Sequence, residues 1–383
     1  MVLLGRAART SQPETGRTVA GLGRGATALG GTAGRGRPAR LRSGWLLAGV
    51  ATVLAAAVAG LAIGPVALNP FGVAAEVVGL LPGVHIDSGL SPQEAAIVTQ
   101  LRLPRVVLGL LVGGVLALAG GCYQGVFRNP LADPYLLGAA SGAGLGATIA
   151  VVVGVSAGVA GQTRGGLVPI LAFVGALTGV MLSYGLGALG GRVRTTTTLI
   201  LAGVAVTAFL TALQTYVLQR NVETIREVYS FILGSLATSG WSDVRMIVPY
   251  VIVALGVVLL HRRELDVLAV GDDEASSLGL HPQRSRYILL AAASLGTAAA
   301  VSVAGLIAFV GIIVPHTIRL LAGTSYRSIL PLSALFGGAF LTCCDLVART
   351  AQAPAEVPIG VVTAIVGAPF FIVVLRTARR VTG

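Results

Sequence analysis

Apolar runs long enough to cross a bilayer recur along almost the whole chain, and this pattern restricts the fold more than any other feature. A helix needs about 20 mostly apolar residues to span the hydrocarbon core. Ten such segments lie near residues 45–67, 104–126, 136–158, 167–189, 197–218, 245–261, 286–307, 309–322, 329–348 and 358–376. Only 11% of the residues are charged, against about 25% in soluble domains. The sequence therefore predicts an all-α membrane protein with ten transmembrane helices.

The distribution of arginine predicts how these helices are oriented. An even number of spans places both termini on the same side of the membrane. Cytoplasmic loops hold more basic residues than outer loops, and most of the 27 basic residues fall on the side of the termini. We therefore expect cytoplasmic N and C termini, a disordered Arg- and Gly-rich cytoplasmic tail over residues 1–44, and a ten-helix transmembrane domain over residues 45–380.

All of the basic residues are arginine, because the chain contains no lysine. A P-loop needs its lysine to reach nucleotide phosphates, so the chain is not a P-loop ATPase. The basic tail indicates attraction to membrane lipid or a topology signal, and we expect no nucleic-acid partner. Cys122, Cys343 and Cys344 lie in apolar runs without metal or disulfide spacing. No catalytic group, cofactor site or metal site is predicted in this chain.

One segment, residues 262–286, is polar and charged where the rest of the chain is apolar. It holds a third of the protein's carboxylates and is bounded by arginines at both ends. These carboxylates are Glu264, Asp266, Asp272, Asp273 and Glu274. The predicted orientation places the segment in the cytoplasm. A membrane protein that concentrates its charge in this way offers a surface to a soluble partner, although an ordinary solvated loop is the alternative.

The run from Arg128 to Gly138 interrupts the chain between the second and third spans. Pro130 and Pro134 cannot both lie inside one regular helix, and Asn129 and Asp133 can satisfy the backbone groups that are freed. Glycines then recur every four residues and predict one flat face for close helix packing. These are Gly138, Gly142 and Gly146. The run is either a structural turn or a place of motion or substrate passage.

A weak internal repeat relates the two halves of the chain. Ala119-Gly120 is followed by Pro130, and Ala304-Gly305 is followed at the same distance by Pro315. The copies begin five helices apart, so they would have opposite orientations in the membrane. Inverted repeats with broken segments are typical of transporters.

Several ordered motifs together resemble the FecCD-type permease family, the transmembrane subunits of iron-siderophore and vitamin B12 ABC importers. The resemblance covers roughly residues 45–380 and rests on runs 101–105, 129–143, 309–320, 345–349, 356–360 and 367–371. The chain departs from the family where Leu306 and Ala308 replace the usual Pro and Gly, which puts the bend between spans seven and eight in doubt.

The resemblance implies a division of labour among several proteins. Two cytoplasmic ABC ATPase subunits would bind ATP and magnesium, a second permease copy or a homologue would complete the pathway, and a periplasmic or lipid-anchored binding protein would deliver the substrate. Residues 262–286 would couple to the ATPase. The coupling residues implied are Gly271, Asp272, Asp273, Glu274, Ala275, Ser276, Leu278 and Gly279. The implied location is the bacterial cytoplasmic membrane.

The resemblance also assigns residues elsewhere. Arg102, Arg105 and Arg349 match positions that offer basic groups to the binding protein; interfacial placement or pairing with Glu356 is the alternative. Asp345 is expected to pair with Arg349 one turn later. The remaining structural or pathway motif residues are Asn129, Pro130, Pro134, Gly138, Gly142, Pro315, His316, Asp345, Glu356 and Pro358. His316 is expected to satisfy backbone groups freed by Pro315.

Three classes of function remain open on these grounds. The leading one is the permease of an importer for ferric siderophores, with cobalamin and haem as other cargoes. An ion-coupled secondary transporter would need intramembrane ionisable groups, and Asp345 is the only clear candidate. An intramembrane enzyme would need a catalytic pair, and Asp345 and His316 lie in different motifs.

Overall fold

The computed structural model describes residues 43–84, 86–157, 166–189 and 196–381, and the regular structure in these ranges is helical. The helices are α1 (Ser43–Ala62), α2 (Pro70–Gly79), α3 (Pro92–Ala96), α4 (Leu103–Phe127), α5 (Ala139–Ser156), α6 (Leu167–Leu189), α7 (Thr196–Arg220), α8 (Ile225–Ile232), α9 (Trp241–Leu260), α10 (Arg262–Leu268), α11 (Asp272–Ser277), α12 (Pro282–Ala304), α13 (Val310–Ala322), α14 (Tyr326–Thr350) and α15 (Ile359–Val381). The predicted tail lies outside the described residues, except that α1 begins at Ser43.

Eight helices in the described part of the chain are long and apolar enough to cross a membrane, which makes this a multi-pass membrane protein. They correspond to the first seven predicted spans and the ninth. The second is longer than predicted because α3, a π-helical turn over Ile97–Arg102 and α4 continue one another. The predicted eighth and tenth spans are α13 and α15. The 13 residues of α13 cover about 20 Å, which is less than the bilayer core of about 30 Å. The helix is short because the residues before Val310 are not helical.

The packing is organised around α4, which is buried along most of its length against α9, α12, α13 and α14. Small residues make this possible. A Cβ atom added at Gly120 would lie 1.9 Å from the carbonyl oxygen of Gly311 in α13. The two backbones therefore touch, which is the packing expected where lipid gives helices no hydrophobic reason to associate.

A second tight contact joins α5 and α6 and confirms the predicted glycine face. A Cβ at Gly142 would lie 2.1 Å from the carbonyl oxygen of Gly175, and one at Gly146 would lie 2.0 Å from that of Leu171. Gly138 stands in the left-handed region with φ of 78° and touches Gly179.

The structure does not confirm the predicted repeat at the matched positions, because these positions occupy different local structures. Gly120 lies inside α4, whereas Gly305 ends α12; Pro130 lies between helices, whereas Pro315 lies inside α13. A short helix, α8, lies between α7 and α9 and ends at Ile232.

Candidate functional site

The charged segment forms two short helices, α10 and α11, between α9 and α12. Gly271 precedes α11, and Asp272, Asp273 and Glu274 fill its first turn, where carboxylates interact favourably with the helix dipole. None of them caps the helix through its side chain. The chain leaves α11 through Gly279, whose φ is 82°.

Gly279 ends α11 with two backbone hydrogen bonds. Its N–H donates to the carbonyl of Ser276 (2.9 Å), and the N–H of Leu280 donates to that of Ala275 (3.0 Å). This pair of hydrogen bonds is the Schellman arrangement, which favours glycine in the left-handed region.

These two helices have one buried face and one exposed face. Leu265, Leu268 and Ala275 are fully buried in the main core, whereas Val270 and Leu278 are 70% and 72% exposed. Asp273, Glu274 and Ser276 are exposed as well. The outward face is therefore both apolar and acidic, which is a composition suited to a protein partner rather than to water alone.

Asp272 joins this segment to the ends of two long helices. Its carboxylate accepts hydrogen bonds from Arg286 Nη1 (2.8 Å) and Nη2 (2.6 Å) in α12, and it also pairs with Arg128 at the end of α4. Arg128 Nε donates to the carbonyl of Leu268 (2.7 Å). The hydrogen bonds from Arg286, followed by those from Arg128, lower the pKa of Asp272. We call Arg128, Asp272 and Arg286 the Asp272 cluster.

Asp266 ties α10 to the start of α14, a contact that sequence reasoning missed. Its carboxylate accepts hydrogen bonds from the Ser325 hydroxyl (2.8 Å) and from the N–H of Tyr326 (2.6 Å). Arg327 Nε lies 3.5 Å from the same carboxylate. The only sequence signal was that Asp266 belongs to the charged segment.

Residues 128–138, the first interruption, have the local structure that the sequence predicts. Asn129 Oδ1 accepts a hydrogen bond from the N–H of Leu131 (2.9 Å), and Asp133 Oδ1 accepts one from the N–H of Tyr135 (2.7 Å). Pro130 lies in the turn, and Pro134 begins a 3₁₀ helix, Pro134–Leu137. Both polar side chains therefore satisfy backbone groups freed by the prolines.

The opposite end of α4 holds a more buried group of charges. Arg105 Nη2 donates to Asp345 Oδ1 in α14 (2.8 Å), and Arg105 Nη1 donates to Glu356 Oε1 (2.8 Å). The side chains of Arg105 and Asp345 are 11% and 3% exposed, and that of Glu356 is 31% exposed. The hydrogen bond from Arg105 lowers the pKa of Glu356. We call Arg105, Asp345, Glu356 and Arg349 the Arg105 cluster.

Arg349 and Arg102 are buried by contacts with the end of α1. Arg349 is 3% exposed and donates to the carbonyl of Gly60. Arg102 is 5% exposed and donates to the carbonyls of Leu61 (2.7 Å), Ala62 (3.0 Å) and Val66. Both guanidinium groups thus satisfy carbonyls that a helix end leaves without partners.

These contacts refine two expectations. Arg105 pairs with Glu356, which is the alternative to docking, and Arg102 and Arg349 are buried by contacts within the chain. Asp345 and Arg349 pair one turn apart as expected, with Arg349 Nε 3.9 Å from the carboxylate, but Arg105 is the nearer partner. Helical spacing favoured Arg349, but it gives no information about a partner 240 residues away.

The remaining motif residues have structural environments. Pro315 lies inside α13, and Pro358 precedes α15 and accepts a hydrogen bond from the N–H of Val361 (3.0 Å). His316 packs edge-on against Phe370. Its buried Nδ1 has no hydrogen-bond partner among the described residues, so this atom does not satisfy a backbone group there.

The bend between α12 and α13 is present despite Leu306 and Ala308. Residues 305–309, the second interruption, are not helical, and Gly305 begins them with φ of 71°. Within the described part of the chain, no group of three or more His, Cys, Asp or Glu side chains is placed to hold a metal ion.

Comparison with known proteins agrees with this architecture. The profile of the FecCD transport family matches residues 52–377. The cobalamin import system permease protein BtuC of Halobacterium salinarum is 43% identical over 288 residues, which cover 75% of each chain. The Fe(3+)-citrate import system permease protein YfmD of Bacillus subtilis is 36% identical over 287 residues, covering 75% of this chain and 83% of that one.

A solved structure has the same fold. A metal-chelate type ABC transporter in an inward-facing conformation superposes with a TM-score of 0.74 at 27% sequence identity, covering 88% of this chain and all of the other.

Proposed function

Because the chain belongs to the FecCD transport family, and is thus the membrane permease subunit of an ABC importer, we propose that it imports a large metal chelate. The substrate would arrive from a binding protein, cross between two permease copies or homologues, and leave on the cytoplasmic side. A separate pair of ATPase subunits would bind ATP and magnesium and supply the work.

The observation that carries this proposal is the construction of α10 and α11. Their buried face is fixed in the core through Leu265, Leu268 and Ala275. Their outward face presents Val270, Leu278 and the carboxylates of Asp273 and Glu274. Short helices that are rigidly attached on one face and free on the other can convert a partner's movement into movement of the long helices.

The proposed topology follows from the same segment. We place the Asp272 cluster and both termini in the cytoplasm and the Arg105 cluster on the outer face, with α13 and α15 completing ten membrane helices in two inverted halves. The excess of arginine on the side of the termini supports this orientation. The bacterial cytoplasmic membrane is the proposed location.

Docking of the binding protein is proposed at the outer end. Arg105 stands at the edge of that face, because its partner Glu356 is partly exposed. An acidic group on the binding protein would replace Glu356 as the partner of Arg105. Arg102 and Arg349 are more deeply buried and would support Arg105 rather than touch the partner first.

The substrate is proposed as a ferric siderophore, with cobalamin as the second candidate. The two relatives described above are named for cobalamin and for ferric citrate, so the family accepts metal chelates of different chemistry. An ion-coupled secondary transporter receives no support from the geometry, because its one candidate, Asp345, is occupied by Arg105.

The test is reconstitution in proteoliposomes with the candidate ATPase and binding protein. The readouts are ATP hydrolysis and uptake of a ferric siderophore or of cobalamin. Binding protein loaded with the right chelate should stimulate both. Deletion of Asp272-Asp273-Glu274 should abolish the stimulation, because the ATPase would lose its contact. The matched control replaces the same three residues by Asn-Asn-Gln, which keeps the backbone and removes only the charge.

Two results would contradict the proposal. Chelate uptake without any ATPase would favour the secondary transporter. Normal stimulation after the deletion would show that the ATPase docks elsewhere.

A further inference from the structure

The two interruptions of the helical chain meet at one side chain, Tyr135. Its hydroxyl donates to the carbonyl of Ile307 (3.0 Å) and accepts from the N–H of Ile307 (3.1 Å). Tyr135 belongs to the first interruption and Ile307 to the second. One hydroxyl thus satisfies both main-chain groups of a residue that lies outside any helix.

These bonds lie among packed helices rather than at a surface loop. Pro134 packs against Gly311, which touches Gly120, about 10 Å before the end of α4. Non-helical backbone inside a membrane domain must find partners in the protein, because lipid supplies none. Loss of the hydroxyl would leave the N–H and the carbonyl of Ile307 without them.

The backbone is strained where the two interruptions begin and end. Among the described residues, Arg128 (φ 50°) and Phe309 (φ 71°) are the non-glycine residues with positive φ. Arg128 opens the first interruption and Phe309 closes the second. Such conformations cost energy and persist where the surrounding structure holds them, often at moving or functional parts.

Each interruption is also attached to a different group of helices. The first begins at Arg128, which binds Leu268 of α10 and Asp272 of α11. The second lies against the end of α8, where the Gly305 backbone touches the carbonyl of Phe231. Just after α8, the N–H of Ser235 donates to the carbonyl of Ala304, the residue before Gly305 (2.9 Å).

The contact with α15 comes from two residues of the second interruption. The Phe309 ring lies against Gly367, and the carbonyl of Leu306 lies against Gly360. Residues 128–138 therefore connect the ATPase-facing helices to the point where α8, α12, α13 and α15 meet.

We propose that Tyr135 is a positioning residue for transport. Its hydroxyl transmits movement of α10 and α11 to the second interruption through its hydrogen bonds with Ile307. The inference rests on the proposed function, since it requires an ATPase acting on α10 and α11. It predicts that loss of this hydroxyl separates ATP hydrolysis from substrate movement without preventing ATPase docking.

The experiment compares Tyr135→Phe with Tyr184→Phe in the reconstituted importer. Tyr184 is a matched control, because its buried hydroxyl has no hydrogen-bond partner among the described residues. We expect binding protein to stimulate ATP hydrolysis in both variants. Uptake per ATP hydrolysed should fall about tenfold in Tyr135→Phe, as expected for two lost buried hydrogen bonds, and stay at the wild-type value in Tyr184→Phe.

A second variant acts at the other end of the same segment and does not depend on the stability of Tyr135→Phe. Arg128→Asn keeps a residue that tolerates positive φ and removes the bonds to Leu268 and Asp272. It should lower the uptake per ATP hydrolysed. In the double variant Tyr135→Phe/Arg128→Asn this ratio should be no lower than in the more affected single variant, because both substitutions act on one connection.

The possible outcomes distinguish failure of the proposed function from failure of the role proposed for Tyr135. If wild-type protein shows no ATPase stimulation, the proposed function fails and this inference falls with it. If the wild type is coupled and Tyr135→Phe lowers only the unfolding temperature, with an unchanged ratio, the hydroxyl is merely structural and the inference is overturned. An unchanged ratio in Arg128→Asn, or additive losses in the double variant, would also overturn it.

Discussion

The two ends of α4 solve the same problem, attachment to neighbouring helices through arginine, in opposite ways. At its start, Arg105 holds Asp345 and Glu356 in a setting where the arginine and aspartate side chains are at most 11% exposed. At its end, Arg128 shares Asp272 with Arg286, and the Arg128 and Asp272 side chains are 39% and 47% exposed. The carboxylate of Asp345 is thus closed to water, whereas that of Asp272 is open to it.

This difference in exposure suits the two clusters to different roles, one fixing helices together and the other changing its contacts. Charges removed from water need their partners, since an unpaired buried charge is costly. Charges at the surface gain little from pairing, and water or another protein can replace the partner at small cost. The Arg105 cluster is therefore suited to fixing α4 against α14. The Asp272 cluster is suited to a segment that changes its contacts during work.

The largest expected effect is a loss of stability when a substitution removes the buried carboxylate of the Arg105 cluster. Asp345→Ala should lower the free energy of unfolding by about 3–5 kcal/mol, because it leaves Arg105 and Arg349 without their buried carboxylate. Asp272→Ala should cost at most about 1 kcal/mol. Chemical unfolding of the purified protein in detergent, followed by tryptophan fluorescence, compares the two.

A double variant is the control for this comparison. Arg105→Gln combined with Asp345→Asn removes both charges and keeps similar volume, so it should be more stable than Asp345→Ala. Equal losses for Asp345→Ala and Asp272→Ala would mean that the two ends do not differ in the way proposed.

The next prediction concerns binding of the ATPase, and here a substitution at the Asp272 end should have the larger effect. Leu278 is 72% exposed beside the Asp272 cluster, and Leu80 is 53% exposed after α2, beside the Arg105 end. If the ATPase covers Leu278, Leu278→Ser should weaken its association by roughly tenfold or more, because burial of a leucine contributes about 1.5–3 kcal/mol.

The matched control is Leu80→Ser, which makes the same chemical change at the other end. Its affinity for the ATPase, measured by microscale thermophoresis in detergent, should equal that of the wild type. Equal weakening by both variants would point to a general loss of structure rather than to a docking face.

Sequence reasoning found the segments that have a local signal and missed contacts between distant residues. The long helices, the interruption at residues 128–138 and the Asn129 and Asp133 turns follow from apolar length, proline and short polar side chains. Each of these depends on a few neighbouring residues.

The pairing of Arg105 with Asp345 and the bridge from Tyr135 to Ile307 could not be predicted in this way. Their partners lie 240 and 172 residues apart in the chain, and only helix packing brings them together. The burial of Arg102 and Arg349 has the same origin, because it depends on where α1 ends. A charged residue near the end of a span looks the same in sequence whether it faces water or a helix terminus.

A smaller effect should distinguish the clusters by their response to salt. The Debye length falls from about 10 Å at 0.1 M salt to about 3 Å at 1 M, which screens exposed pairs far more than buried ones. The difference in unfolding temperature between wild type and Asp272→Asn should therefore shrink at 1 M salt. The corresponding difference for Asp345→Asn should stay constant, and a parallel loss in both would contradict the assignment of one cluster as open and the other as closed.

The smallest effect is the dependence of the Arg105 end on pH. The hydrogen bond from Arg105 lowers the pKa of Glu356 below its usual value of about 4.3. A carboxylate with a lowered folded-state pKa adds stability that is fully present above the unfolded pKa and is lost as the pH falls through the folded one. The difference in unfolding temperature between wild type and Glu356→Gln should therefore be constant from pH 8 to about 5 and shrink below about 4.3. The pKa of Asp272 is also lowered, from a usual value of about 3.9. The difference in unfolding temperature between wild type and Asp272→Asn should therefore persist to a lower pH than that for Glu356→Gln. A change between pH 8 and 6 would contradict the assignment of this effect to Glu356.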